Sequence, residues 1–86
     1  MVNKNKMRVI LKTLKGEFIN LTYYTSEGMN SAEACKVIEV SKNHVTLAKP
    51  IPVHSQEPGG PSEITFNVII DRITKVEFYS GLKKTG

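Results

Sequence analysis

The sequence predicts an all-β domain, a small five-stranded antiparallel barrel with a one-turn 3₁₀ corner before its last strand. Two observations carry that expectation. Apolar residues recur at period two: Ile64, Phe66, Val68 and Ile70 fall on one face of a strand. The period then slips once, because the next apolar residue is Ile73, followed by Val76 and Phe78 two apart again. A strand cannot keep residues 70 and 73 on one face without a corner, so Asp71-Arg72-Ile73 reads as a single 3₁₀-like turn.

Length and composition bound the rest. Eighty-six residues make one domain. A chain this short buries only about 60–65% of its unfolded surface, so its core is small. Hydrophobic residues make up 40% and tryptophan is absent. No apolar run approaches the ~18–20 residues of a membrane span, and Arg8 and Lys12 interrupt any signal-peptide block near the start. One cysteine excludes an internal disulfide and fits a reducing compartment, so a cytoplasmic location is expected. Twelve Lys+Arg against eight Asp+Glu give +4, which permits contact with nucleic acid without demanding it.

In chain order, residues 1–6 read as a disordered tail. The domain proper spans 7–80, and 81–86 form a basic tail. Met7, Val9 and Leu11 alternate with Arg8, Ile10 and Lys12, so residues 7–13 read as a strand. A second alternating run holds Ile19, Leu21 and Tyr23 on one face. A three-residue loop, Leu14-Lys15-Gly16, sets Leu11 opposite Ile19, Val9 opposite Leu21 and Met7 opposite Tyr23, burying one continuous apolar face. That register also puts Gly16 where a left-handed residue is needed. Residues 25–33 are small and polar and read as a loop; whether 25–37 form a loop or a short helix capped by Ser31 stays open. Residues 34–41 and 44–49 form a hairpin that pairs Val40 with Val45 and Ile38 with Leu47. Residues 50–62 hold all four prolines and two adjacent glycines, and form a long mobile loop. The expected core is Val9, Leu11, Ile19, Leu21, Ile38, Val40, Val45, Leu47, Ile64, Phe66, Val68, Ile70, Ile73, Val76 and Phe78.

Tight hairpin, long bent second strand, short third strand, loop, then two strands joined by a one-turn corner: this order resembles the Sm-like small β-barrel. The resemblance covers residues 7–79. It rests on Val9-Ile10-Leu11-Lys12 with Gly16, on Val37 to Leu47, and on Val68 to Val76. It implies a barrel that binds RNA. In that family an Asp and an Asn near the second-to-third-strand loop, and an Arg-Gly pair at the last corner, hold a nucleobase. Here Asn43 stands in the loop Ser41-Lys42-Asn43-His44, and Arg72 stands at the corner without the glycine.

No constellation names a reaction, so no enzyme activity and no cofactor are expected. Cys35, His44 and His54 lie nine and ten residues apart, which fits no zinc spacing. Cys35 sits among Ala34, Val37 and Ile38 and reads as a buried structural thiol. Paired carboxylates are absent, and Asp71 reads as the cap of its own turn. Basic residues are more suggestive: Lys12, Lys42, Lys49, Arg72 and Lys75 fall at strand ends or on outward faces, with Phe18, Tyr24 and Tyr79 available for stacking. The candidate nucleic-acid-binding set is Lys42, Asn43, His44, Arg72 and Lys75, because the loop after the second strand and the last corner approach each other in such a barrel. The expected partner is single-stranded RNA or DNA. The alternative is a protein-interaction or homo-oligomeric assembly module using Ile10, Phe18 and Ile69, which face away from the expected core. Salt-dependent binding to nucleic acid separates the two.

Overall fold

The computed structural model describes residues 4–79. Five antiparallel strands form one sheet: β1 (Phe18–Thr25), β2 (Gly28–Val40), β3 (His44–Pro50), β4 (Glu63–Ile69) and β5 (Ile73–Phe78). Their order across the sheet is β4-β3-β2-β1-β5. A helix, α1 (Lys4–Thr13), precedes them, and one 3₁₀ turn (Ile70–Arg72) links β4 to β5. The one-turn corner thus forms, one residue earlier than the spacing suggested.

The sheet must curl. Laid flat, four strand spacings of about 4.8 Å would set β4 and β5 ~19 Å apart. The link from Ile69 to Ile73 reaches at most about 14 Å. The two edges therefore meet at the corner, but they do not pair with each other, so the sheet is open. Inside the curl lie Ile19, Leu21, Cys35, Val37, Val45, Leu47, Val68, Ile70 and Ile73, all buried.

The first expected strand, 7–13, is a helix. Met7, Val9 and Leu11 satisfy period two, but Met7, Ile10, Leu11 and Leu14 satisfy i, i+3, i+4, i+7, the stripe of an amphipathic helix. Leu14, which breaks the alternation, is the residue that distinguishes the two. Met7, Leu11 and Leu14 are buried, while Val9 is 58% exposed. No glycine or proline interrupts the segment, and Lys12 in the last turn favours the negative end of the helix dipole. Lys4 to Lys6 belong to the helix rather than to a tail. The remaining tail expectations, 1–3 and 81–86, lie outside the described residues, as does Ser80 at the expected end of the domain.

Gly16 does carry a positive φ, +89°, but it ends the helix instead of a hairpin. The Leu14 N–H donates to Leu11 O at 3.0 Å and the Lys15 N–H to Lys12 O at 3.3 Å, closing the last turn. The Gly16 N–H then donates to Val37 O at 2.8 Å, tying the chain to β2 before β1 begins.

The true first hairpin is β1–β2, and it absorbs the segment read as a loop or short helix at 25–37. Thr25 pairs with Gly28 across a tight turn. The Thr25 hydroxyl accepts the Glu27 N–H at 3.1 Å and donates to Gly28 O at 3.3 Å. β2 is thirteen residues long and is shared between β1 and β3 by way of two bulges. At the first, Ala34 takes φ 56° and its N–H donates to Asn20 Oδ1 at 2.9 Å. At the second, one residue separates Val37 from Glu39 while their partners Leu47 and Thr46 are adjacent. That extra residue is Ile38. Val40 pairs with Val45 as expected, but Leu47 pairs with Val37, and the bulge leaves Ile38 exposed.

Two further core expectations fail at strand ends. Ile64 pairs with Lys49 beyond the reach of the helix and corner, and Phe78 lies at the end of edge strand β5; both are exposed. Phe66 and Val76 are half-buried against the core. The Pro/Gly loop at 50–62 contains a short 3₁₀ turn (Val53–Ser55) and is pinned at its base. There the Ile51 N–H donates to Ser62 O at 2.9 Å, and Gln56 Nε2 donates to Ile51 O at 2.9 Å.

Candidate nucleic-acid interface

The loop after β2 and the corner after β4 meet because β3 and β4 are paired in register from Pro50–Glu63 to His44–Ile69. One further bond extends the ladder: the Ile70 N–H donates to Asn43 O at 2.9 Å. Lys42, Asn43 and His44 therefore stand beside Asp71 and Arg72. The loop is itself closed by the Ser41 N–H donating to His44 O at 2.8 Å.

Helix α1 adds what the strand reading of residues 7–13 concealed. It packs against β2 and the corner, and its first two turns reach the loop. Lys4 Nζ donates to Asn43 Oδ1 at 2.8 Å and lies 3.7 Å from Asp71 Oδ2. An Arg8 guanidinium nitrogen donates to Lys42 O at 3.4 Å. Residues 4 and 8 are four apart, so one helix face presents both. The helical stripe Met7-Ile10-Leu11-Leu14 was the sequence signal for them. The corner thus brings the Lys4 and Arg8 side chains to a loop and turn whose backbone also carries Lys42, His44 and Arg72, with the Asp71 carboxylate beside Lys4. Asp71 is engaged by Lys4 rather than capping its own turn: the 3₁₀ turn has no side-chain cap.

Lys75 does not join this group by any direct contact. It pairs across from Thr22 in the β1–β5 ladder, and its ammonium lies 3.5 Å from Glu77 Oε2. The three aromatic candidates are also divided. Phe18 and Tyr79 adjoin at the start of β1, where the Tyr79 N–H donates to Phe18 O at 3.1 Å. Tyr24 stands at the other end of β1, next to Tyr23, which pairs with the first residue after the corner. Tyr24 is exposed and pairs with Met29 near the β1–β2 turn. Of the outward apolar trio, Ile10 lies on α1, Phe18 on β1 and Ile69 on β4, so they come from three separate elements; Phe18 is half-buried and the other two are exposed.

The remaining chemistry-bearing residues are dispersed. Cys35 is buried opposite Ile19, and burial raises its thiol pKa while the Lys49 ammonium pulls it back in part. A protonated thiol so placed is a poor nucleophile. Among the described residues no three His, Cys, Asp or Glu side chains converge as metal ligands. No helix among them is long and apolar enough to cross a membrane. Compared with family models, with curated proteins and with solved structures, the chain matches none.

Proposed function

We propose that this chain is a non-catalytic module that binds single-stranded RNA through the corner where α1, the β2–β3 loop and the β4–β5 turn meet. The observation that carries the reading is the meeting, at one corner, of the segments that carry four fixed cations, Lys4, Arg8, Lys42 and Arg72. Phosphate oxygens need only such donors. Asn43 supplies an amide for a base edge, with its acceptor already used by Lys4 in the free protein. Arg72 provides a planar fork suited to phosphate. Single strands fit better than duplex, because the cations cluster at one corner instead of lining a groove-length helix. In the same reading the curled five-stranded sheet is an Sm-like barrel, supported by the antiparallel order and the one-turn corner between its edge strands.

The test is a titration of labelled single-stranded RNA at several salt concentrations. Wild type should bind more weakly as salt rises. Lys42→Ala with Arg72→Ala should weaken binding and lower the salt slope, by about one unit for each cation that releases one counterion. Lys4→Ala with Arg8→Ala should do the same, which the strand reading of residues 7–13 does not anticipate. Lys75→Ala should have the smaller effect. No binding by wild type at micromolar protein, or equal binding by all variants, overturns the reading and favours an assembly module.

A further inference from the structure

Sheet edges attract other strands, and natural proteins blunt them with lysine, proline, bulges or short length. The two edges of this sheet are treated differently. β5 is six residues long, carries Lys75 and Glu77, and its ladder with β1 is broken by a bulge at Thr74. β4 is seven residues long, and its ladder with β3 is the one ladder of the four with no register shift. From Ile64 to Ile69 it reads ITFNVI, without charge, proline or glycine. That is the composition of a segment that pairs readily with another strand.

The hydrogen-bond phase says which groups are on offer. The Ile51 N–H donates to Ser62 O and the Ile70 N–H to Asn43 O. Both pairs belong to the same antiparallel register, so even-numbered residues of β4 direct their backbone groups at β3. The N–H and C=O groups of Glu63, Thr65, Asn67 and Ile69 therefore point away from the sheet, and no strand of the described residues covers them. Beside this edge Ile64 is 57% and Ile69 49% exposed. Ile64 and Phe66 also line an apolar cleft of about 280 Å3 with Lys49, Pro50, Ile51 and Pro52.

We propose that β4 pairs with β4 of a second copy of this chain, antiparallel about a two-fold axis through Phe66. The occupant follows from the strand's own complementarity. Overlap of all seven residues sets Thr65 opposite Asn67, Glu63 opposite Ile69 and Ile64 opposite Val68, with Phe66 facing its own copy. No like charges oppose, and every outward-pointing backbone group finds a partner. The inner-face pairs Ile64–Val68 and Phe66–Phe66 cover the side of the cleft that lies open at the edge. Such an interface is isologous and closes at two chains.

The experiment is sedimentation of the full chain at micromolar concentration. Wild type should run at twice the chain mass of 9.6 kDa. Thr65→Pro removes an N–H that β3 does not use, so it should leave the fold intact by circular dichroism and give a monomer. Thr65→Lys, a gatekeeper that keeps the backbone donor, should also weaken dimerisation and covers the case in which the proline variant fails to fold. Oxidising a mixture of Thr65→Cys and Asn67→Cys chains should form the mixed disulfide faster than either chain alone forms its own, because only the mixed pair stands directly across the interface. A monomeric wild type, a dimer that survives in folded Thr65→Lys, an assembly larger than two, or no preference for the mixed disulfide each overturns the proposal.

Discussion

The helix at the start of the chain makes the sharpest test of the fold. On a strand, residues 7, 9 and 11 face the core together; on α1, residues 7, 11 and 14 do, and residue 9 does not. Leu11 is fully buried and Val9 is 58% exposed. Leu11→Ala deletes three carbons, worth ~2.4 kcal/mol of transfer at about 0.8 kcal/mol per methylene. A partly collapsed cavity adds ~1–2 kcal/mol, so ~3.4–4.4 kcal/mol is expected, within the range of about 2.7–5 kcal/mol for buried leucines. Val9→Ala loses two carbons that are mostly in water already. It also gains up to ~0.7 kcal/mol of helix propensity, because a β-branched residue is replaced by the best helix former. Its net effect should lie within about 0.5 kcal/mol of zero. Urea unfolding followed by circular dichroism measures both. The domain as a whole is expected to hold only ~4–13 kcal/mol, so the Leu11 effect is a large share of its stability. A Val9→Ala cost comparable to that of Leu11→Ala would refute the helical assignment and restore the strand.

Three further outcomes are expected. Gly16→Val should destabilise by at least ~1 kcal/mol, since φ +89° disfavours a β-branched residue even though nothing crowds its side chain; thermal melts of the pair measure it. Cys35 has its thiol pKa raised above 9.0 by burial. The native state therefore binds the proton more tightly, and the stability from this group is fully present below pH 9.0 and is lost as pH rises through the higher native pKa. Urea midpoints should fall above that pH in wild type and fall less in Cys35→Ala. Gln56→Ala removes the bond to Ile51 O that pins the Pro/Gly loop, and should speed limited proteolysis within residues 53–61 while the rate of cutting in the strands is unchanged.

The make-up of the candidate corner was legible in part. Lys42, Asn43, His44 and Arg72 were recognisable because loop and corner positions follow from strand periodicity, and antiparallel β3–β4 pairing brings those two positions together. Lys4 and Arg8 were not, because the segment holding them fits two periods at once over residues 7–11 and separates only at Leu14. Lys75 was grouped with the corner by its closeness in sequence, whereas the β1–β5 ladder carries it onto a different pair of strands.

What the sequence by itself determined were features that depend on a few adjacent residues. These include the period-two faces of β1, β3 and β4, the one-turn corner between residues 70 and 73, the Val40–Val45 hairpin, and the positive φ of Gly16. Local sterics and alternation suffice for each. Tertiary structure decided the rest. Whether residues 7–11 became helix or strand depended on the partner for Met7, Leu11 and Leu14, which is the rim of a curled sheet. Which of Val37 and Ile38 faced inward depended on a bulge, and a bulge is set by how one long strand satisfies two neighbours that need different registers. Exposure of Ile64 and Phe78 depended on how far each strand runs past the elements that would cover it. Those choices are made by contacts between residues far apart in the chain, and a periodicity read along the chain has no term for them.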